Sequence, residues 1–174
     1  MKRARIGFGA AVAMVVVSIL SPPTAGVAWS EVASAQVERV QFAGEVIHDT
    51  ELIPCLGKPA AVAQTMYGGV TIVRTTRSTE ISGTVHGPLT FTILDDDGAP
   101  SGLSFVGRTV IHVGNHGILT ENGDPLGRAE LQLTWMVTGT LSNGAQFAFE
   151  EIGQLRTDSV GVVTLNLDRA VCRA

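Results

Sequence analysis

Alternation of apolar and polar residues with a period of two is the dominant pattern after residue 36. A period of two places successive side chains on opposite faces of a strand, whereas an amphipathic helix needs apolar residues three and four positions apart. The clearest alternating stretches cover residues 89–93, 103–113, 131–137 and 163–167. The nearest candidate for a helix, residues 60–66, is followed by two glycines that would stop it. The pattern therefore predicts β structure throughout.

Clusters of Gly, Asn, Asp and Ser bound these stretches and predict turns, because these residues favour turn conformations. The clusters lie at residues 96–98, 114–117, 121–125, 142–144 and 157–159. Short strands at near-regular spacing with one apolar face predict an all-β fold, either a single antiparallel β-barrel or a sandwich of about seven to nine strands. Residues 36–174 contain no internal repeat and no low-complexity linker, so we expect one domain there.

Burial selects the register of the hairpin that turns near Gly144. A two-residue loop would put Phe147 and Phe149 on the polar face of the strand. A three-residue loop, with Gly144 in the left-handed conformation, returns both rings to the apolar face. The same register places Glu151 opposite Trp135 on the inner face.

Glu151 is therefore the candidate acid or base. A carboxyl group against an indole in an apolar interior has a raised pKa and could act in catalysis. Two structural interpretations compete with this one. The end of the strand could turn Glu151 back to water, or Glu151 could pair with Arg74, which alternates with Val70 and Ile72 and so points inward.

The first 35 residues have the layout of a secretory signal peptide. Three basic residues precede an uncharged stretch at 6–20, two prolines follow, and small residues come next. The uncharged stretch is shorter than the ~20 residues that span a bilayer, so a retained membrane anchor is disfavoured. Cleavage after Ala35 fits the A-x-A rule best, and cleavage after Ala28 is the alternative. The sequence predicts a secreted protein with a signal peptide at 1–35.

Charge then excludes several partners. The whole chain has 12 basic and 16 acidic residues, 45% hydrophobic residues and 16% charged residues, which disfavours disorder. Removal of residues 1–35 leaves nine basic and fifteen acidic residues, with Lys58 as the one lysine. An acidic surface of this kind disfavours nucleic acid and anionic lipid as partners. We expect no membrane insertion after cleavage.

The two cysteines, Cys55 and Cys172, predict a disulfide, since a pair in a small exported domain is most simply oxidised. Closing a loop of this length stabilises a fold by about 5 kcal/mol on the chain-entropy model. The features of the layout of the chain are Cys55 followed by Gly57, a strand-rich middle and a last strand that ends in Cys172. This layout resembles that of small secreted bacterial β-proteins of uncharacterised function. The resemblance covers residues 36–174, implies secretion and an all-β domain, and carries over no catalytic residue.

Metal binding is not expected. His112 and His116 have a ligand-like spacing, but zinc pairs at that separation usually lie on a helix, and a third ligand would have to come from His48, Asp49 or His86. The acidic residues at 95–97 lack the glutamate that closes a calcium loop, so they predict a hairpin turn. We predict neither a metal ion nor a cofactor.

The leading functional hypothesis is non-catalytic binding of a small apolar or amphipathic ligand in the mouth of the barrel. Trp135, Phe147, Phe149 and Tyr67 are the candidate walls, and Arg74 is the candidate partner for an anionic group. One alternative is an interaction or inhibitor module that uses an exposed loop or sheet edge and has no cavity. The other is a small-barrel cyclase or isomerase with Glu151 as its acid or base. The oligomeric state stays open.

Overall fold

Seven β-strands make up the fold. The structure is a computed structural model and describes residues 35–75, 78–119, 125–160 and 162–173. The predicted signal peptide, residues 1–35, lies outside these residues except for Ala35. The strands are β1 (Gln36–Ile53), β2 (Lys58–Arg74), β3 (Thr79–Leu94), β4 (Pro100–Leu119), β5 (Pro125–Leu141), β6 (Gln146–Thr157) and β7 (Val163–Arg173). None of the described residues forms a helix long and apolar enough to cross a membrane.

All seven strands belong to one antiparallel sheet in the order of the chain, β1-β2-β3-β4-β5-β6-β7. Within the described strands, β1 pairs with β2 and β7 pairs with β6, so these two strands are the edges of the sheet. The predicted disulfide between Cys55 and Cys172 is present and holds the two Cα atoms 5.6 Å apart. Because it joins the turn after β1 to strand β7, the sheet must curl, although no ladder among the described residues closes it. The all-β antiparallel prediction and the disulfide are confirmed.

The hairpin between β5 and β6 has the predicted register. Val137 pairs with Phe149, and Trp135 pairs with Glu151. Gly144 has a φ of 88°, the left-handed conformation that the three-residue loop requires. The phenylalanines of β6 consequently face the core.

The core lies on the inner face of the curled sheet, where every second residue of the middle strands is buried. Gly107 and Gly139 face each other across β4 and β5, and the ring of Phe105 covers both. A side chain at either glycine would overlap the backbone of the neighbouring strand. The glycine pair therefore makes room for a stacked aromatic ring.

Two details of the predicted pattern are wrong. Residues 114–117 continue β4 where a turn was expected, because the Asn115 side chain is buried and donates to the Thr79 carbonyl oxygen at 2.9 Å. Leu167 was grouped with the apolar face, but it is 40% exposed. A register shift at Arg156 and Thr157 turns this part of β7 over, so that Asp168 pairs with buried Gly153, although Asp168 is itself exposed at the edge of the sheet. The predicted turn at 121–125 lies outside the described residues except for Pro125.

Candidate functional site

Three of the predicted ligand contacts come together in the interior. Trp135 and Phe149 pack edge to face with ring centroids 5.0 Å apart, and Phe147 lies 5.8 Å from Phe149. Phe105 and Phe91 extend the same cluster, stacked at 4.5 Å. All five rings are buried. In this arrangement the aromatic residues fill the inner face with their own contacts.

The one polar atom of the Trp135 side chain is satisfied inside the core. Its indole Nε1 donates to Thr109 Oγ1 at 2.7 Å, and both residues are buried. A buried N–H without a partner is costly, so this bond fixes the orientation of the indole. Trp135 is thereby held as a rigid wall beside Glu151.

Glu151 lies on the inner face of β6, half-buried and directly opposite Trp135. Burial, the neighbouring charge of Asp168, a hydrogen bond with Asp168 and the charge of Glu51 raise the pKa of Glu151 to about 7. Glu51 comes from β1 and Asp168 from β7, so three strands contribute to one carboxyl cluster. Such a group holds its proton in mild acid and releases it near neutral pH.

The alternative ion pair between Glu151 and Arg74 is not what the structure contains. The guanidinium of Arg74 lies 3.9 Å from the Glu38 carboxylate on β1, and both side chains are partly exposed. Glu150, the neighbour of Glu151, faces outward, and its carboxylate lies 3.9 Å from the Arg173 guanidinium. Adjacent glutamates therefore occupy opposite environments, as the strand period requires.

Tyr67, the fourth predicted aromatic contact, lies on the outer face and is 43% exposed. It pairs with His86 across β2 and β3, and the two rings stack with centroids 6.4 Å apart. His86 in turn pairs with Val110 on β4. The sheet thus separates Tyr67 from Trp135, Phe147 and Phe149.

A groove of about 360 Å³ runs over this part of the outer face. Gly44, at a bulge of β1 with a φ of 110°, lies beneath the ring of Tyr67. Gly87 lies on the other side of that ring, where a side chain would overlap the Thr65 carbonyl oxygen. The two glycines let Tyr67 lie close to the backbone. The lining residues are Tyr67, His86, Gly87, Pro88, Arg108, Thr109 and Val110.

The histidine side chains that the structure describes belong to no metal-binding group. His112 Nδ1 lies 2.8 Å from Thr84 Oγ1 on the outer face, and the His116 side chain lies outside the described residues. Among the residues that the structure describes, no group of three His, Cys, Asp or Glu side chains could hold a metal ion.

Sequence reasoning missed residues both in the groove around Tyr67 and in the carboxyl cluster around Glu151. Pro88, Arg108 and Val110 join Tyr67 only because β3 and β4 pair beside it in register. Asp168 lies beside Glu151 because β7 pairs with β6, whereas Glu51 acts on Glu151 from β1, the opposite edge strand. Neither arrangement has a local sequence motif. The alternation does place residues 86, 88, 108 and 110 on the outward face, which is the one feature of the sequence that points to the groove.

Comparisons with protein-family models, with curated proteins and with solved structures found no match to this chain.

Proposed function

We propose that this protein is a secreted, non-catalytic binding protein that takes a small amphipathic anion in the groove on its outer face. The observation that carries the proposal is the groove itself, whose lining combines an aromatic ring and apolar residues with one arginine. Small-molecule sites are typically concave, of about 300–1,000 Å³, mostly apolar and fitted with few polar groups.

The choice of the outer groove over the barrel mouth rests on packing. The inner-face aromatic residues are buried against one another, so a ligand there would have to displace core contacts. Tyr67 is exposed and already lies in a groove. A bound molecule would cover an aromatic face that now contacts water.

Arg108 gives the site its preference for an anion. It is exposed on β4, pairs in register with Pro88, and forms no ion pair with the residues that the structure describes. A guanidinium presents a planar fork that matches a carboxylate with two parallel hydrogen bonds. Tyr67, Pro88 and Val110 would hold the apolar body, so an aromatic or short-chain carboxylate is the ligand class that fits.

Secretion and a barrel-like closure belong to the same proposal. The layout of residues 1–35 and the Cys55–Cys172 disulfide support export to an oxidising compartment. The disulfide joins the two edges of the curled sheet, and we take the molecule to work as a barrel sealed at this point by the covalent link.

The single tyrosine of the chain provides the test. Protein labelled with 3-fluorotyrosine carries one fluorine, at Tyr67, and its NMR signal can be followed during titration with 2-naphthoate and with uncharged 2-naphthol. We expect a saturable shift with naphthoate and at least about tenfold weaker binding of it by Arg108→Gln, the loss of one charge-assisted contact.

Arg156→Gln is the matched control, because Arg156 is also exposed but pairs with Glu130 on another part of the sheet. It should bind naphthoate like the wild type. A signal that moves with neither compound, or equal binding by the Arg108→Gln and wild-type proteins, would overturn the proposal.

A further inference from the structure

The two edge strands are tied together at one end by the disulfide. Seven consecutive antiparallel strands make β1 and β7 run in the same direction. No ladder joins them within the described residues, and the Cys55–Cys172 disulfide is the covalent link between them. We use "the seam" for this junction of β1 with β7 and its neighbour β6.

Carboxyl groups from all three strands face one another at the seam. Glu51 of β1 is buried, with 3% of its surface exposed, and its charge acts on Glu151 of β6. Asp168 of β7 lies one step diagonally from Glu151 on the same face, and the two side chains are hydrogen bonded. A hydrogen bond between two carboxyl groups needs one proton, because two carboxylates have none to donate.

Among the described residues, the groups that shift the pKa of Glu151 include no cation. On β5 its inward neighbours are Trp135, Leu133 and Val137, none of which titrates. On β1 the next inward residue is Asp49, a further carboxylate, and one of its oxygens is buried without a hydrogen-bond partner. The charged groups that act on Glu151 are Asp168 and Glu51, both acidic.

We propose that the seam is a pH-gated closure, in which a proton shared by Glu151 and Asp168 holds β1, β6 and β7 together and its loss loosens the two edge strands. Ionisation of Glu151 removes the hydrogen bond and leaves like charges next to one another around a half-buried carboxyl group. The pKa of about 7 for Glu151 puts this transition near neutral pH.

The edge strands β1 and β7 are the parts of the sheet that can separate from their neighbours. The first four residues of β1 are exposed on both faces, and β7 is exposed at most of its described side chains. Each has a ladder on one side only within the described residues, so it can separate without breaking the centre of the sheet. Glu51 lies four residues before Cys55, and Asp168 lies four residues before Cys172. The disulfide therefore limits the separation of the edge strands to fraying around a fixed point.

Hydrogen exchange of the oxidised protein between pH 5.5 and 8.5, corrected for the intrinsic pH dependence of exchange, tests the proposal. We expect amide protection in β1 and β7 to fall by about tenfold or more with a midpoint near pH 7, while the β3–β4 ladder stays protected. Glu151→Gln should abolish the transition. Asp168→Asn and Glu51→Gln should move its midpoint to lower pH, because each removes a negative charge beside Glu151.

Glu150→Gln is the matched control, since Glu150 is the adjacent residue on the outer face. It should keep the wild-type transition. In a Trp29→Phe background Trp135 is the sole tryptophan, and its fluorescence reports the titration of Glu151 separately from opening.

A titration of Trp135 fluorescence without loss of protection in β1 and β7 would overturn the proposal, as would a transition that persists in Glu151→Gln. Should Glu151→Gln fail to fold, the transition midpoints of Asp168→Asn and Glu51→Gln test the proposal instead. Midpoints equal to that of the wild type would overturn it. The groove lies on β2–β4 and shares no residue with this cluster, so either proposal can fail while the other stands.

Discussion

At the scale of single residues, buried polar groups carry the sharpest stability effects. Thr109 and Trp135 form a buried hydrogen bond between β4 and β5. Thr109→Val keeps the shape of the side chain but leaves the indole N–H unpaired, so we expect the free energy of unfolding to fall by about 1–3 kcal/mol. Urea denaturation measures this. Thr109→Ser keeps the hydroxyl group and is the control; an equal loss in both variants would mean that packing of the methyl group dominates.

Glu151 makes stability depend on pH in an unusual direction. The folded state holds its proton up to about pH 7, whereas the unfolded chain releases it near 4.5. The stabilisation from protonation is therefore complete below pH 4.5 and is lost as pH rises through 7. The full shift corresponds to roughly 3 kcal/mol, and solvent screening of a half-buried carboxyl reduces this to about 1–2 kcal/mol.

Glu151→Gln should consequently be more stable than the wild type by about 1–2 kcal/mol at pH 8 and nearly equal to it at pH 4.5. Urea denaturation at the two pH values checks this. Glu150→Gln, on the outer face, should give no such gain. A Glu151→Gln effect of the same size at both pH values would contradict the assignment of the titration to Glu151.

At the scale of elements, the β5–β6 hairpin depends on one backbone conformation. Gly144 has a φ of 88° and nothing within 4 Å of the position where a side chain would begin, so an added methyl group strains the backbone without a clash. Gly144→Ala should lower the free energy of unfolding by about 1–2 kcal/mol. Gly114 has the same open space without a left-handed φ, and Gly114→Ala should be neutral or stabilising by up to about 1 kcal/mol. Equal losses in both variants would point to side-chain crowding.

Alternation in the sequence predicts this hairpin because the period of two and the position of Gly144 select the same register. The period did not predict the course of β4 through residues 114–117, where a buried asparagine side chain replaces a turn. It also missed the register shift that pairs Asp168 with Gly153. Both failures come from contacts between strands, which a pattern along one strand does not contain.

The candidate sites also combine a feature that the sequence predicts within one hairpin with features that depend on contacts between strands. Glu151 opposite Trp135 follows from the hairpin register, which is a local relation. Its acidic partner Glu51 comes from β1, which is distant in the chain, and Asp168 and the groove around Tyr67 depend on how neighbouring strands pair. Arg74 shows what alternation along one strand leaves out. Alternation gave the face of β2 on which Arg74 lies, but its partner, Glu38, lies on the neighbouring strand β1.

At the scale of the whole molecule, the disulfide closes a loop between residues 117 positions apart. On the chain-entropy model its removal should cost about 3–5 kcal/mol, because the unfolded chain regains the freedom of that loop. The Cys55→Ser and Cys172→Ser double variant, unfolded in urea beside the oxidised wild type, measures the cost. Wild-type protein kept reduced should match the variant, and equal stability of the oxidised and reduced wild type would contradict the expectation.

The position of the disulfide also has a topological consequence. Residues 55–172 form a covalent ring that contains β2 to β6 and nearly all of β7, whereas β1 lies outside it. A single peptide cleavage anywhere within the ring would leave one covalently joined molecule until the disulfide was reduced. Pulling on the N-terminus would strip β1 from β2 before any force reached the ring. The protein is therefore a closed loop with one detachable strand, and that strand is the one that carries Glu51.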